Sequence, residues 1–238
     1  MAYKSFMIDC FIESKKSLKG YATVAIDVIR STTVAVTVLM TGRRCFYAPS
    51  VDSAILLAKQ LNNPLLIGEV GGNMPYGFDM NNSPVDVESS AARAVVSRPA
   101  IIVSSSGTQL FYELAKVDSA YVSCLRNYMA TAEHIAKRYN HISIVGAPTR
   151  GEFREEDKLC CAWIGAQLVK MGYEPEDERT SVVLDTWKDA PVDLCAKGNS
   201  AEYLRKSGQL KDLYYILNHV NDVKAVFKIE RDEIVREF

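Results

Sequence analysis

The sequence predicts an α/β fold in which a largely parallel or mixed sheet is covered by helices on both faces, giving three α/β/α layers. Short apolar runs rich in β-branched residues alternate with segments of helical spacing along the 238-residue chain. The intervening segments are long enough for crossovers between parallel strands. Because 48% of the residues are hydrophobic, residues 1–238 can form one domain, or two lobes that share a sheet.

Each element follows from a local pattern. Residues 21–28 (YATVAIDV) are typical of a buried strand, and residues 31–40 favour a helix even though they include β-branched residues. The further strands are expected at residues 45–48, 65–68, 100–104, 120–123, 142–145 and 225–229. Three further helices are expected. One lies at residues 51–61, and a second follows the Ser-Ser-Gly-Thr segment at residues 105–108. The third lies at residues 155–171, where Gly172 ends the strongest helical pattern.

Residues 68–84 (GEVGGNMPYGFDMNNSP) interrupt this regular alternation. They contain four glycines, two prolines and three asparagines, so they are expected to form a long loop. A loop of this length in a compact domain is usually functional. The alternative is a surface excursion without a role.

Charge and composition exclude several classes of function. The formal net charge of −1 gives no general attraction to nucleic acid or to acidic lipid, so any anion must bind at a local site. Six cysteines without a C-x-x-C pair are expected to be reduced and buried, which favours a cytoplasmic protein. No signal peptide is evident, and no apolar window approaches the roughly 20 residues that a membrane span needs.

Polar residues follow the ends of several predicted strands, where ligands bind in α/β sheets. In the first group, Asp27 lies near the end of a strand, and Arg30 precedes Ser31 and Thr32, which begin the next helix. The hydroxyl groups and backbone N–H groups at that helix start can bind an anion, and Arg30 can bind phosphate or sulfonate. Asp27 could hold a metal ion or act in catalysis. The alternative is a helix cap with an incidental salt bridge.

A second group, Ser105, Ser106, Gly107 and Thr108, directly follows the strand at residues 100–104. Small residues in this place allow backbone N–H groups to approach a phosphate closely. A plain serine-rich helix cap explains the pattern equally well.

Carboxylates supply the third and fourth groups. Glu69 and Asp79 lie in the glycine-rich loop and are of the kind that binds Mg²⁺, although they could be solvated turn residues. Arg150 follows another strand, and three acids begin the helix after it. The helix dipole accounts for two of these acids, while Asp157 or Glu156 could face the site.

Arginines and hydroxyls for an anion, with acids for a metal ion, indicate phosphoryl chemistry. The sequence has no P-loop, no D-x-D motif at Asp27, no cysteine–arginine phosphatase motif and no G-x-S-x-G elbow. The three histidines lie outside the four groups and are expected to be structural or exposed.

At these groups the sequence resembles the 2-phosphosulfolactate phosphatase family, over roughly residues 5–230 and including a late helix at residues 210–216. The matching segments, in the family's order, are IDVIRSTT, GEVGG, GFDMNNSP, SSSGT and EEDKLCCA. The combination of GFDxxNSP with DVIRSTT is the specific part. The resemblance implies Mg²⁺-dependent hydrolysis of 2-phosphosulfolactate to sulfolactate and phosphate, a step on a route to coenzyme M.

The leading hypothesis is therefore a Mg²⁺-dependent phosphatase acting on a small phosphorylated substrate with a sulfonate or carboxylate group. The expected metal ligands are Asp27, Glu69, Asp79 and Asp157. The expected catalytic residues are Asp27, Arg30 and Asp79. The expected substrate-binding residues are Ser31, Thr32, Ser105, Ser106, Gly107, Thr108 and Arg150. A homodimer is the default assembly.

Departures from the family pattern leave two other hypotheses open. Three serines precede Gly107, residues 147–150 read APTR, and residues 199–202 lack an expected histidine and glycine. The chain could instead be a non-catalytic anion-binding or regulatory protein on the same fold, or an enzyme of another type acting on a phospho- or sulfo-carboxylate.

Overall fold

The structure is a computed structural model that describes residues 3–10, 18–93 and 97–238. The strands are β1 (Ser5–Asp9), β2 (Tyr21–Ile26), β3 (Cys45–Tyr47), β4 (Leu65–Gly68), β5 (Ala100–Val103), β6 (Ala120–Ser123), β7 (His141–Gly146), β8 (Glu174–Pro175), β9 (Val226–Glu230) and β10 (Glu233–Glu237). The helices are α1 (Ser31–Met40), α2 (Val51–Ala58), α3 (Pro84–Ala92), α4 (Gly107–Leu114), α5 (Tyr128–Ala136), α6 (Glu155–Lys170), α7 (Glu178–Trp187), α8 (Asn199–Lys206) and α9 (Leu210–Asn218), with a 3₁₀ helix at Val192–Lys197.

These strands form one mixed sheet in the order β4-β5-β3-β10-β9-β6-β2-β7-β1-β8. Strands β6, β2, β7, β1 and β8 are mutually parallel, and so are β4, β5 and β3. Strands β9 and β10 connect the two parallel blocks through three antiparallel pairings. Because the direction reverses at each pairing, the two blocks run in opposite directions.

The sheet curls so that the carboxyl ends of β2 and β5 meet. The Oγ atoms of Ser31, after β2, and Ser104, after β5, are 2.7 Å apart. In a flat sheet these strands would lie about 24 Å apart, because four strands separate them at roughly 4.8 Å per step. Helix α1 lies inside the curl, where it contacts β3, β5, β6 and β10, and residues 31–38 are all buried.

Helices cover both faces of the sheet, which confirms the predicted α/β fold. Successive residues of a strand point to opposite faces. In β2, Val24 and Ile26 pack in a core cluster with residues of α5, α6 and α7, whereas Ala25 packs with residues of α1 and α4. In β5, Ile101 packs against α2 and Ile102 faces the α1 side. Within the described residues, no helix is long and apolar enough to cross a membrane.

Every strand and helix predicted from the sequence is present, with shifts of a few residues at the ends. The loop at residues 68–84 is irregular between β4 and α3, as predicted, apart from isolated bridges. All six cysteines are free and all but Cys10 are buried. Elements that the sequence patterns missed include β1, α3, α5, α7, α8 and β10. Helices α7 and α8 each bury only two residues, so few apolar side chains mark them in the sequence.

Candidate active site

The start of α1 and the start of α4 meet at the centre of the site. Besides the contact between Ser31 and Ser104, the amide of Gly107 donates a 3.3 Å hydrogen bond to the Ser104 Oγ. A Cβ atom on Gly107 would lie 2.4 Å from Asp27 Oδ2 and 2.5 Å from Ser31 Oγ. Glycine is therefore required for α4 to approach this closely. Two helix N-termini, each with a partial positive charge, therefore meet at one place.

Thr32 and Thr108 hold the two strand-to-helix turns in the same way. The Thr32 hydroxyl donates to the carbonyl oxygen of Asp27 at 2.8 Å and accepts from the Asp27 amide at 3.1 Å. The Thr108 hydroxyl donates to the carbonyl oxygen of Ser104 at 2.7 Å and accepts from the Ser104 amide at 3.0 Å. Both threonines are fully buried. Their hydroxyls shape the turns, and a ligand would have to displace these bonds to contact them.

Asp27 lies buried at the end of β2 and lines the site cavity. Burial raises the pKa of Asp27 to about 6, and the charge of Glu69 acts in the same direction. Hydrogen bonds from Ser31 and the positive charge of Arg30 oppose this rise in the Asp27 pKa. The effect of burial therefore outweighs the nearby positive charge and hydrogen bonds, and the Asp27 carboxyl is a weaker acid than an exposed aspartate.

Two further acids at the start of α6 lie behind Asp27. The Asp157 Oδ1 accepts a 2.8 Å hydrogen bond from the Val28 amide, which ties α6 to the end of β2. Burial, with the charges of Glu156 and Asp27 adding to it, raises the pKa of Asp157 well above its usual range. Burial raises the pKa of Glu156 to about 7, and its Oε2 is buried without a hydrogen-bond partner. Neither Asp157 nor Glu156 lines the cavity.

Glu69 organises the glycine-rich loop against the start of α4. Its Oε1 accepts from the Ser105 amide at 2.7 Å, and its Oε2 accepts from the Gly72 amide at 2.6 Å. The Ser105 hydroxyl donates to Glu69 Oε2 at 3.1 Å and accepts from the Gly71 amide at 2.8 Å. On the far side, the Tyr203 hydroxyl donates to the carbonyl oxygen of Gly72 at 2.6 Å. Glu69 thus lines the cavity with both oxygens already bonded.

The structure does not bring Asp79 to the site. Its Oδ2 accepts a 2.8 Å hydrogen bond from the Leu66 amide on the edge strand β4, and its Oδ1 lies 3.4 Å from Arg98. Asp79 is absent from the cavity lining. The loop turns back on itself between Glu69 and Asp79, so that Asp79 covers the sheet edge.

Arg30 lines the cavity beside the start of α1 and is held from behind. Its Nη1 donates to Asp212 at 2.6 Å and to Gln209 at 2.5 Å, and Asp212 is fully buried. The Ser83 hydroxyl donates to the other Asp212 oxygen at 2.6 Å. This network fixes the guanidinium in position, so Arg30 is a preorganised cation.

The cavity has a volume of about 900 Å³. Ser106 and Arg150 are among the residues that line it. Arg150 is exposed, with a φ of 53°, at the tip of a tight turn closed by Thr149 and Glu152. The lining residues that sequence analysis did not single out are Asn82, Ser104, Arg154, Ser200, Tyr203 and Lys206, among others. Of these six, only Asn82, in the NNSP element, and Ser104 lie in the quoted motifs.

Asp27 and Asn82 both line the cavity and carry oxygen atoms of the kind that Mg²⁺ prefers. Asn82 is buried, its Nδ2 lies 3.4 Å from Ser31 Oγ, and its Oδ1 has no hydrogen-bond partner. In the described ranges, no three His, Cys, Asp or Glu side chains converge as a metal-binding group. A site with one carboxylate and one amide oxygen still suits Mg²⁺, which commonly takes few protein ligands together with substrate phosphate and water.

Comparisons with known proteins identify the family to which the chain is similar. A profile of the family described as 2-phosphosulpholactate phosphatase matches residues 10–232. The chain is 32% identical over 166 residues to the probable 2-phosphosulfolactate phosphatase of Clostridium perfringens strain SM101, in an alignment covering 67% of this chain and 65% of that protein. Over 208 residues it is 27% identical to a Caldanaerobacter subterraneus protein of the same name, covering 85% of each chain. A Deinococcus radiodurans protein, also so named, is 30% identical over 188 residues, or 78% of this chain and 74% of its own length.

Proposed function

The chain belongs to the 2-phosphosulpholactate phosphatase family, a family named for phosphoric monoester hydrolysis, and we propose that it is a Mg²⁺-dependent phosphatase. Its substrate is a small phosphate ester with a second anionic group, and 2-phosphosulfolactate is the first candidate. The observation that carries the proposal is the meeting of two helix N-termini at the buried carboxylate of Asp27. Such an arrangement combines anion-binding N–H groups with a metal-binding acid.

In this proposal the phosphoryl group lies in the cavity beside the place where the starts of α1 and α4 meet. Ser105 and Ser106, which line the cavity, would hold its oxygens, and Arg30 would contribute a fixed positive charge. Ser31 and the Gly107 backbone form the buried contact between the two helix starts and would position these groups. Preorganised donors of this kind stabilise charge in a transition state without rearranging. Thr32 and Thr108 support the turns from behind, through their bonds to the backbone.

Asp27 and the Asn82 Oδ1 would hold the Mg²⁺ ion, which when bound neutralises phosphoryl charge and lowers the pKa of bound water. Asp157 accepts a hydrogen bond from the Val28 amide, next to Asp27 in the chain, and so positions the Asp27 carboxylate. Glu69 holds the Ser105 amide, so it sets the position of the α4 turn. Asp79, bonded at the sheet edge, has no part in this proposal.

The cellular setting follows from the same proposal. Free, mostly buried cysteines support a reducing cytoplasm. A homodimer is the proposed assembly, because symmetric dimers are the commonest soluble oligomers. If the substrate is 2-phosphosulfolactate, the product is sulfolactate, and the reaction belongs on a route to coenzyme M.

The test is phosphate release from 2-phosphosulfolactate, phospholactate and an aryl phosphate, each with Mg²⁺ and with chelator. We expect Mg²⁺-dependent release, fastest from a substrate with a second acid group. Asp27→Asn should abolish release, whereas Asp79→Asn, a matched change in the other predicted carboxylate, should keep it. Equal activity of a folded Asp27→Asn protein would refute the assignment. Binding of these anions without release from any would favour the non-catalytic alternative.

A further inference from the structure

The cations that line the cavity differ in how firmly their partner carboxylates hold them. Arg30 is paired with Asp212, which is fully buried and also bonded to Ser83. Removing that carboxylate from its cation would leave a buried charge uncompensated. The pair is therefore permanent, and Arg30 cannot exchange its partner for a substrate group.

Arg154 is held quite differently. The residue is buried and lines the cavity at the N-cap of α6. Its Nη1 lies 2.7 Å from Glu152 Oε2, and the Glu152 side chain is 61% exposed. Its Nε is buried and has no hydrogen-bond partner among the described residues. The guanidinium is thus under-bonded, and the exposed Glu152 carboxylate can return to water when another anion takes its place beside Arg154.

The remaining cations of the cavity are less suited to select a substrate. The Lys206 side chain is 75% exposed and pairs with Glu202 at 3.3 Å. Arg150 is exposed at its turn. Solvent screens both charges, and ordering either long side chain costs conformational entropy. Arg154 is already ordered by burial.

We propose that Arg154 is the specificity-determining residue that binds the second anionic group of the substrate, and that Glu152 occupies its guanidinium until substrate displaces it. The inference rests on the proposed phosphatase function for its substrate class. A planar carboxylate or a sulfonate can accept two parallel N–H bonds from an arginine. The Glu152 carboxylate makes one such contact, through its Oε2 to the Arg154 Nη1. Arg30 and the helix starts then hold the phosphoryl group, and Arg154 holds the acid.

The experiment compares two substrates that differ only in the acid. Phospholactate carries a carboxylate, and isopropyl phosphate has a methyl group in its place. The measured quantity is the ratio of kcat/KM for phospholactate to kcat/KM for isopropyl phosphate. Effects on phosphoryl transfer, on Mg²⁺ or on the Asp157 charge change both substrates alike and cancel in the ratio.

In Arg154→Gln we expect the ratio to fall about tenfold or more, since a charge-assisted hydrogen bond to the acid is lost. In Glu152→Gln we expect the ratio to rise up to about fivefold through a lower KM for phospholactate, because an exposed competitor is removed. Arg44→Gln and Glu233→Gln are matched controls, since these residues form an arginine–glutamate pair outside the cavity. Both controls should leave the ratio unchanged.

An unchanged ratio in both cavity variants would overturn the inference, and so would an equal loss for both substrates in Arg154→Gln. If Arg154→Gln does not fold, the exposed Glu152→Gln still decides through the KM for phospholactate. Calorimetric binding of the two esters separates this inference from the proposed function. If the wild-type protein releases no phosphate but binds phospholactate more tightly than isopropyl phosphate, and Arg154→Gln loses this preference, the phosphatase proposal is refuted and the anion site at Arg154 is supported.

Discussion

Replacing Gly107 with alanine tests whether the close approach of α4 to Asp27 matters for activity. The added Cβ would lie 2.4 Å from Asp27 Oδ2, 2.4 Å from Ser31 Cβ and 2.5 Å from Ser31 Oγ. The Gly107 backbone is not in the left-handed region, so alanine meets no backbone strain there. The perturbation is therefore a steric push on two residues of the site.

The size of the effect follows from these distances. Carbon and its neighbours normally approach to about 3.5 Å, so the Asp27 carboxylate and Ser31 must move by roughly 1 Å. A displacement of about 1 Å at a catalytic group can lower the rate on the order of a hundredfold. Overpacking a rigid interior also costs about 1–3 kcal/mol of folding free energy.

The assay measures kcat with saturating Mg²⁺ and the free energy of unfolding in urea, for Gly107→Ala and for Gly165→Ala. Gly165 is the matched control, because its added Cβ would lie 2.8 Å from the Phe6 ring in the core between α6 and β1. We expect both variants to lose stability but only Gly107→Ala to lose about a hundredfold in kcat. Near-wild-type kcat in a folded Gly107→Ala protein would show that the meeting of the two helix starts is not the catalytic centre.

Three further predictions follow from the same contacts. Burial raises the pKa of Glu156 from 4.5 to about 7, so between these pH values the native protein keeps a proton that the unfolded chain loses. Glu156→Gln should therefore raise the free energy of unfolding at pH 8 by on the order of 2 kcal/mol and change it little at pH 4. Urea titrations at both pH values measure this difference. Tyr203→Phe removes the hydroxyl that donates to the Gly72 carbonyl oxygen, so KM should rise about two- to tenfold with kcat preserved. An unchanged KM in steady-state assays would show that Tyr203 does not support the loop. Arg30→Ala leaves Asp212 as an unpaired buried charge and should cost about 3–5 kcal/mol in urea unfolding, most of which the additional change Asp212→Asn should restore.

The fold was largely predictable because its strands are buried on both faces and read as apolar runs. The residues of β2, β5 and β7 illustrate this, since each run is almost wholly buried. The opposite directions of the two blocks were not predictable. They depend on β9 and β10, at the end of the chain, pairing between β6 and β3. Sequence patterns identify strands, but pairing across such distances is decided by the packing of the whole molecule.

For the site, position in the sequence identified the turns but not the direction of each side chain. Asp27 and Arg30 follow the end of β2 and line the cavity, as that position predicts. Glu69 and Asp79 belong to one loop, yet only Glu69 faces the cavity, because the chain reverses between them. Arg154 was not predicted as a site residue, because its environment arises from burial at the N-cap of α6 and no local sequence pattern indicates this.

The curl of the sheet explains how opposed blocks can build one site. If the blocks were parallel, the carboxyl ends of β2 and β5 would share an edge, but the helices after them would lie side by side. Here the blocks are opposed, and the two strand ends meet only because the sheet closes around α1. The starts of α1 and α4 can then approach Asp27 from different directions and meet where Ser31 and Gly107 adjoin its carboxylate. A phosphoryl group in the cavity beside this contact would lie near two helix N-termini that come from oppositely directed blocks of the sheet.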